Sequence, residues 1–574
     1  FRASMTSPAR TAPAPGQAPL VAPNAAALLR RNGTDPDIRS RVAIKFGDRS
    51  WTHAEYYEEA CRFAQLLLAE LPDGAPRHVG VLLDNTPEYL MWLGGAALIG
   101  AVVVGINPTR RGAELARDIT HADCQLVVTE GRHAHLLDGL DLPGVGRVLD
   151  VDTETYRALL VPHASAPLPD VEIDETGIYL LLFTSGTSGA PKACICSQGR
   201  LARIGQIFIE REPITPDDVM YLVMPLFHSN TCMIGFAPWV GTGATAALRR
   251  RFSASGFLPD VRRFGVTFMN YVGKPLSYIL ATPEQPDDAD NPLTHVFGNE
   301  AADLDIERFA KRFGCRVQDG YGSTEGGAAI SRVPDMPAGS LGLGPEGTVI
   351  LDPDTGEECP RARFDEQGRL LNPLEAIGEI VNKNGAAGFE GYYKNDEANQ
   401  ARVRGGYYWT GDLGYRDEAG YFYFAGRDFE WLRVDGENFA AAPIERLIAR
   451  HPDVVLVCVY AVPDEEVGDQ VMATIELRPG ASFDPADFDE FLSEQPDLGT
   501  KWSPRYVRVV AKMPTTESQK PMKRQLRHER WEPADGVYWR PAKGEPLQPM
   551  TDADREELRK RFEARGRLTA LDVS

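Results

Sequence analysis

The segment Leu180-Leu181-Leu182-Phe183-Thr184-Ser185-Gly186-Thr187-Ser188-Gly189-Ala190-Pro191-Lys192 runs an apolar strand straight into a loop of small residues, hydroxyls and one lysine. Glycines let successive backbone N–H groups converge on an anion, Thr184, Ser185, Thr187 and Ser188 add neutral donors, and Lys192 adds a positive charge. On this stretch alone two readings stand: a phosphate cradle, or a surface turn of the ordinary Gly/Ser/Thr kind. The adjacent Gly-Lys of a P-loop is missing, so the surrounding sequence has to decide.

Outward from this loop, short apolar runs alternate with amphipathic ones. Strands are predicted at 78–83, 101–106, 125–128, 177–183, 219–224 and 266–271, with helices at 54–71 and 86–100 among them. Their nearly continuous apolar character favours parallel sheets buried on both faces, hence a large layered α/β domain. From about 347 to 424 the strands shorten and acquire Gly and Asp turns, as at 377–381 and 420–425, which predicts a mainly β subdomain. After Gly426-Arg427 a new alternation begins, with helices at 443–450 and 485–492 and strands at 454–462, 471–477 and 506–510. The expected division is a leader over 1–22, with Met5 as its initiating residue, an N-terminal domain over 23–426, a small α+β domain over 427–533 and an extension over 534–574. The extension carries a charged helix at 552–563 with polar residues on most faces.

At 574 residues the chain exceeds the size at which a single core keeps growing. Hydrophobic content of 43% and charged content of 25% describe an ordinary globular protein. No apolar run reaches the ~18–20 residues that span a bilayer, so no transmembrane segment is expected. A net charge of −21 argues against nucleic acid as a partner, while leaving room for a local basic pocket. Eight cysteines at irregular spacing, without a secretory signal, predict reduced thiols and a cytoplasmic location. Cys194, Cys196, His228 and Cys232 do not form a zinc pattern and read as buried small hydrophobes and a histidine.

Further polar clusters fall where strands end, the edge at which open α/β sheets place their ligands. His228, in Pro225-Leu226-Phe227-His228-Ser229-Asn230, is placed to orient a carboxylate or is structural. Asp319-Gly320-Tyr321-Gly322-Ser323-Thr324-Glu325-Gly326-Gly327 offers a ring to stack a base, hydroxyls for phosphate and a carboxylate for Mg²⁺, or is a glycine-rich turn with a solvated Glu325. In Tyr408-Trp409-Thr410-Gly411-Asp412 a carboxylate beside a glycine can accept two ribose hydroxyls. Gly426-Arg427, Val434-Asp435-Gly436-Glu437-Asn438 and Glu517-Ser518-Gln519-Lys520 complete the series. Gly342-Leu343-Gly344-Pro345-Glu346-Gly347 matches a dinucleotide fingerprint only formally, since a proline interrupts it and a strand follows. His528-Glu529 lacks a second zinc-binding histidine, and no nucleophile elbow is present. By themselves Lys512, Lys520, Lys523, Arg524 and Arg527 read as a solvated basic face.

Taken together and in order, these segments resemble the adenylate-forming superfamily of acyl-CoA synthetases, peptide-synthetase adenylation domains and luciferases, from about residue 25 to 531. Gly105-Ile106-Asn107-Pro108-Thr109-Arg110-Arg111-Gly112, 321–326 and Gly436-Glu437-Asn438 look most like the branch of fatty acid transport proteins and of very-long-chain and bile-acid or steroid CoA ligases. The resemblance implies that a carboxylate and Mg-ATP give acyl-AMP and pyrophosphate, after which coenzyme A displaces AMP. It implies that the loop from Thr184 through Ser185, Gly186, Thr187, Ser188 and Gly189 to Lys192 cradles the β- and γ-phosphates. Gly298, Asn299, Glu300, Asp319, Gly320, Tyr321, Gly322 and Ser323 would surround the adenylate, with Tyr321 stacked on adenine. Thr324 would touch the α-phosphate, Glu325 would ligate Mg²⁺, Asp412 would bind the ribose hydroxyls and Arg427 the ribose or phosphate. Lys520 would bridge the carboxylate and α-phosphate, His228 would orient the acid, and Gly436 would admit the thiol arm once the small domain rotates.

Two positions depart from that pattern. Phe429 stands where a hinge Lys or Asp is usual, and Gln519 replaces the glycine before the catalytic lysine. Three alternatives follow: an enzyme that only thioesterifies acyl-AMP supplied by an adenylating partner, a ligase that loads a carrier protein, and a silent adenylate-binding module. The acid pocket is expected within 227–235, 269–277 and 297–302, sized for a steroid, terpenoid or long-chain fatty acid. A homodimer is the expectation on general frequency.

Overall fold

The computed structural model describes residues 22–571 except 72–76, 165–170, 185–191, 213, 367, 369, 427–430, 435–436, 467–468, 497, 499–500, 517–518, 534–535, 543 and 566. Two sheets organise the α/β part. The first has six strands in the order Arg147–Asp150, Leu126–Thr129, His78–Leu82, Val102–Gly105, Ile178–Thr184 and Lys192–Ser197, all parallel except the last pair. The second has eight, in the order Ala329–Ser331, Arg316–Gly322, His295–Asn299, Phe268–Val272, Val219–Leu222, Thr245–Leu248, Val42–Phe46 and Arg49–Thr52. Its six central strands are parallel and each edge closes with an antiparallel pair. The inner strands of both sheets, such as His78–Leu82, Val102–Gly105, Thr245–Leu248 and Phe268–Val272, are buried along their length, so their composition carries no signal that assigns a strand to one sheet or the other.

The helix Pro87–Ile99 is buried on every face because its sequence is apolar all round. It ends at Gly100, whose φ of 68° supplies the left-handed cap. It lies against the helix His53–Glu70, which starts with a reciprocal Thr52/Glu55 capping box and sets Phe63 edge-on to Trp92 at 5.1 Å. The expected β subdomain is a five-stranded antiparallel sheet from Thr348–Leu351 to Phe422–Gly426.

The C-terminal region is built on a second five-stranded sheet, Val454–Pro463, Asp469–Leu477, Tyr506–Val510, Val537–Trp539 and Gln548–Pro549. The last two strands lie beyond residue 533, so the extension continues this sheet instead of trailing from it. Its helix, Asp552–Ala564, is polar on most of its surface yet buries Leu558 and Phe562 in a cluster with Trp531, Trp539 and Met550. Tyr278 of the large domain packs against the same cluster. Among the described residues no helix is long and apolar enough to cross a membrane.

Candidate active site

Three parallel strands put Tyr271, Gly298 and Asp319 side by side at their C-terminal ends. A Cβ on Gly298 would stand 2.4 Å from the Tyr271 carbonyl oxygen, so this register requires glycine there. The Tyr271 hydroxyl donates to Asp319 Oδ2 at 2.5 Å and the Ala301 amide donates to the same oxygen at 3.0 Å. Burial nevertheless pushes the Asp319 carboxyl up to about 7. Asn299 donates to the Gly320 carbonyl at 2.5 Å, and Asn230 donates to the Tyr271 carbonyl at 2.9 Å. The Asp319–Gly322 run, glycine-rich in sequence, is the end of a strand: its last three residues pair with Ala329–Ser331.

His228 follows the strand Val219–Leu222 and faces this strand end. Its Nδ1 accepts from the Asn230 amide at 3.2 Å, which leaves the proton on Nε2. Desolvation, reinforced by the nearby Lys520 ammonium, lowers its pKa to about 4, so the ring is neutral at pH 7 and Nε2–H is a donor for a carboxylate. Lys520 enters the same cleft from the C-terminal region, and its Nζ lies 2.5 Å from Glu300 Oε1.

The other half of the cleft is wired by buried partners. Thr324 Oγ1 and Ser229 Oγ are 2.6 Å apart, and the Thr324 carbonyl accepts from Arg200 Nη2 at 2.7 Å. Glu325 is 6% exposed, and its Oε1 accepts from the Tyr392 hydroxyl at 2.5 Å. Arg402 Nε donates to that hydroxyl at 3.0 Å, and Lys192 Nζ sits 5.9 Å from the centre of the Tyr392 ring. Lys192 pairs with Thr184 across the antiparallel strands Ile178–Thr184 and Lys192–Ser197. The Tyr321 hydroxyl donates to Asp412 Oδ2 at 2.7 Å, and Ser323 is hydrogen bonded to Tyr408. A Cβ on Gly327 would collide with the Tyr408 ring at 2.3 Å, so packing explains this glycine without a ligand.

The cleft therefore gathers Lys192, His228, Gly298, Asn299, Glu300, Asp319, Gly320, Tyr321, Thr324, Glu325, Asp412 and Lys520. Ser185, Gly186, Thr187, Ser188, Gly189, Arg427, Phe429 and Gly436 lie outside the described residues. Sequence reasoning assigned no part to Arg200, Tyr392 or Arg402. Tyr392 closes the glycine-rich run 385–392 and Arg200 follows the strand Lys192–Ser197, so a local signal existed for these two, but their side chains meet Thr324 and Glu325 only through long-range packing. All eight cysteines are free, and Cys194 and Cys196 are buried on the strand Lys192–Ser197 as expected.

Elsewhere, Asp84, Glu130 and His133 bring three ligand-type atoms together. Arg132 and Arg251 pair with Asp84 at 2.6 and 3.1 Å, and Arg250 pairs with Glu130. Three guanidiniums over two carboxylates already leave the cluster positive, which disfavours a divalent cation and makes it a structural ion network.

Comparisons with known proteins identify the family. The model described as "AMP-binding enzyme" matches residues 35–393, and "AMP-binding enzyme C-terminal domain" matches 443–520. The chain is 51% identical over 550 residues to a steroid-22-oyl-CoA synthetase of Rhodococcus jostii, covering 95% of this chain and 98% of that protein. It is 49% identical over 509 residues to a medium/long-chain-fatty-acid–CoA ligase of Mycobacterium marinum, covering 89% and 95%. The crystal structure of an anthranilate CoA ligase in complex with anthranoyl-AMP superposes with a TM-score of 0.76 at 21% identity, over 89% of this chain and 97% of that one. The chain thus belongs to the AMP-binding enzyme family, the adenylate-forming superfamily its motifs resemble.

Proposed function

We propose that this protein is an AMP-forming acid–thiol ligase that activates a bulky hydrophobic carboxylic acid with ATP and transfers the acyl group to coenzyme A. The observation that carries the reading is the meeting of Lys520, from the small domain, with neutral His228 in a cleft whose other wall holds Glu325 and Asp412. In the first step a carboxylate oxygen attacks the α-phosphorus, the bond to the bridging oxygen breaks and pyrophosphate leaves. Lys520 stands where negative charge builds between the carboxylate and the α-phosphate, and His228 Nε2–H holds the second carboxylate oxygen. Lys192 and the hairpin loop take the β- and γ-phosphates. Tyr321 lies against the base and keeps Asp412 oriented toward the ribose. In the second step the thiol sulfur attacks the acyl carbon, the bond to the phosphate oxygen breaks and AMP leaves.

The donor set suits Mg²⁺. Glu325 is a buried carboxylate with one oxygen held by Tyr392, an oxygen ligand of the kind magnesium takes alongside phosphate oxygens. When bound, the ion would neutralise phosphate charge. Arg200 and Ser229 fix Thr324 for the α-phosphate.

For the acid, support comes from the steroid-22-oyl and medium/long-chain fatty activities named for the relatives at 51% and 49% identity. Val272, at the end of the strand Phe268–Val272, and Phe227, in the segment after Val219–Leu222, are apolar neighbours suited to a hydrophobic chain or fused rings. A fused-ring steroid side-chain acid is our preferred substrate. The test reads the half-reactions separately across steroid, terpenoid and fatty acids: pyrophosphate release with Mg-ATP, and CoA-ester formation from prepared acyl-AMP. Both proceed on one acid class if the reading holds. CoA-ester formation alone would make the protein a thioesterifying partner of another enzyme, and no turnover in either assay would reduce it to a binding module.

A further inference from the structure

Lys520 and Glu300 come from opposite sides of the cleft and are 220 residues apart in sequence. Both ends of the contact have unusual backbone. Glu300 has φ 73° and Gln519, just before the lysine, has φ 62°, a left-handed conformation that side chains other than glycine rarely adopt. Glu300 directly follows the strand His295–Asn299, and its charge reaches both His228 and Asp319. Among the described residues, Tyr278 packs on the apolar cluster of the C-terminal region and Arg446 meets the Tyr415 hydroxyl. The ion pair is open to solvent, with side-chain exposures of 34% for Lys520 and 47% for Glu300.

We propose that Glu300 is a positioning residue: its carboxylate docks Lys520, and with it the C-terminal domain, over the cleft before the acid arrives, and then yields the ammonium to the substrate carboxylate. The proposal rests on the reading of Lys520 given above. Replacing one carboxylate by another leaves the lysine paired throughout, so it is never stranded without a counter-charge as the substrate enters. Solvent exposure keeps the contact weak enough to exchange, whereas a buried pair would be strongly costly to break. A screened, exposed pair is also sensitive to salt.

The experiment uses the full chain with one fluorophore on each domain, comparing wild type with Glu300→Gln and Glu300→Asp. Without ligands and at low salt, wild type should show the short interdomain distance and lose it as NaCl rises. Glu300→Gln should show the longer distance at every salt concentration, and Glu300→Asp should recover part of the wild-type behaviour. With substrates, Glu300→Gln should slow pyrophosphate release about two- to five-fold, the size of an exposed ion pair. An unchanged distance in Glu300→Gln, or no recovery of the salt-sensitive short distance in Glu300→Asp, would overturn the proposal. The distance measurement needs no substrate, so it tests the dock even if the acid class or the ligase reading fails.

Discussion

On the large-domain side of the cleft, Glu325 and Asp412 are each 6% exposed and each accept from a tyrosine hydroxyl, at 2.5 and 2.7 Å. On the small-domain side, Lys520 is one-third exposed and meets a half-exposed glutamate. Buried hydrogen-bonded carboxylates keep one geometry, because losing a partner there costs the full desolvation of the charge. An exposed ion pair sets only a preference, which salt or a competing anion can shift. The first arrangement suits groups that must be in place before nucleotide binds, and the second suits a group that arrives and leaves with a moving domain.

The largest expected effect tests whether the small domain is rigid in itself. Phe562→Ala should cost about 3–5 kcal/mol in denaturant unfolding of the C-terminal region, because the ring is fully buried between Trp531 and its neighbours. A loss below about 1 kcal/mol would mean the extension is an ornament on that domain. Next, Lys520→Ala should lower acid-dependent pyrophosphate release on the order of 10²–10³-fold while leaving CoA-ester formation from acyl-AMP within a few-fold. Equal losses in both steps would erase the division between a fixed and an arriving half.

Tyr392→Phe tests the fixed half. It strips the donor from Glu325 and the acceptor from Arg402, and should cost about 1–3 kcal/mol of stability and raise the Mg²⁺ concentration needed for half-maximal rate. Acidity gives a finer test. His228 has its pKa lowered to about 4 in the fold against an ordinary 6.5, so between those values the unfolded chain binds more protons and stability rises with pH. Asp319 is raised to about 7 against 3.8, so there the folded chain binds more protons and stability falls as pH rises. His228→Asn and Asp319→Asn should therefore change the slope of unfolding free energy against pH in opposite directions, each by at most about 1.4 kcal/mol per pH unit. Identical slopes in both variants would contradict the assigned environments. The smallest effect is expected from Gln519→Gly, which relieves left-handed strain but loosens the unfolded chain, for a net change under ~1 kcal/mol with activity retained.

Much of the fixed half was legible in the chain. Thr184 and Asp319–Gly322 stand at strand ends, and such local patterns survive in one dimension, whereas Gly411-Asp412, expected at a strand end, lies inside the strand Tyr407–Arg416. The boundaries of Tyr506–Val510 and the change of texture near residue 347 were equally plain, because alternation and turn residues act locally. The parts played by Arg200, Tyr392 and Arg402 were not legible: they reach Thr324 and Glu325 from 124, 67 and 77 residues away, and a local pattern does not say which distant residue a side chain meets. Glu300 was visible as a member of the adenylate cluster but not as the partner of Lys520.

By itself, then, the sequence determined the alternation of strands and helices, the order of the chemical groups and the family, since periodicity, glycine placement and motif order are properties of neighbours along the chain. Only the tertiary structure decided the split into two sheets, the addition of Val537–Trp539 and Gln548–Pro549 to the C-terminal sheet and the identity of the groups that hold each candidate site side chain. Those depend on which apolar faces and which buried donors meet across the fold, and burial is a relation between distant residues that no local pattern records.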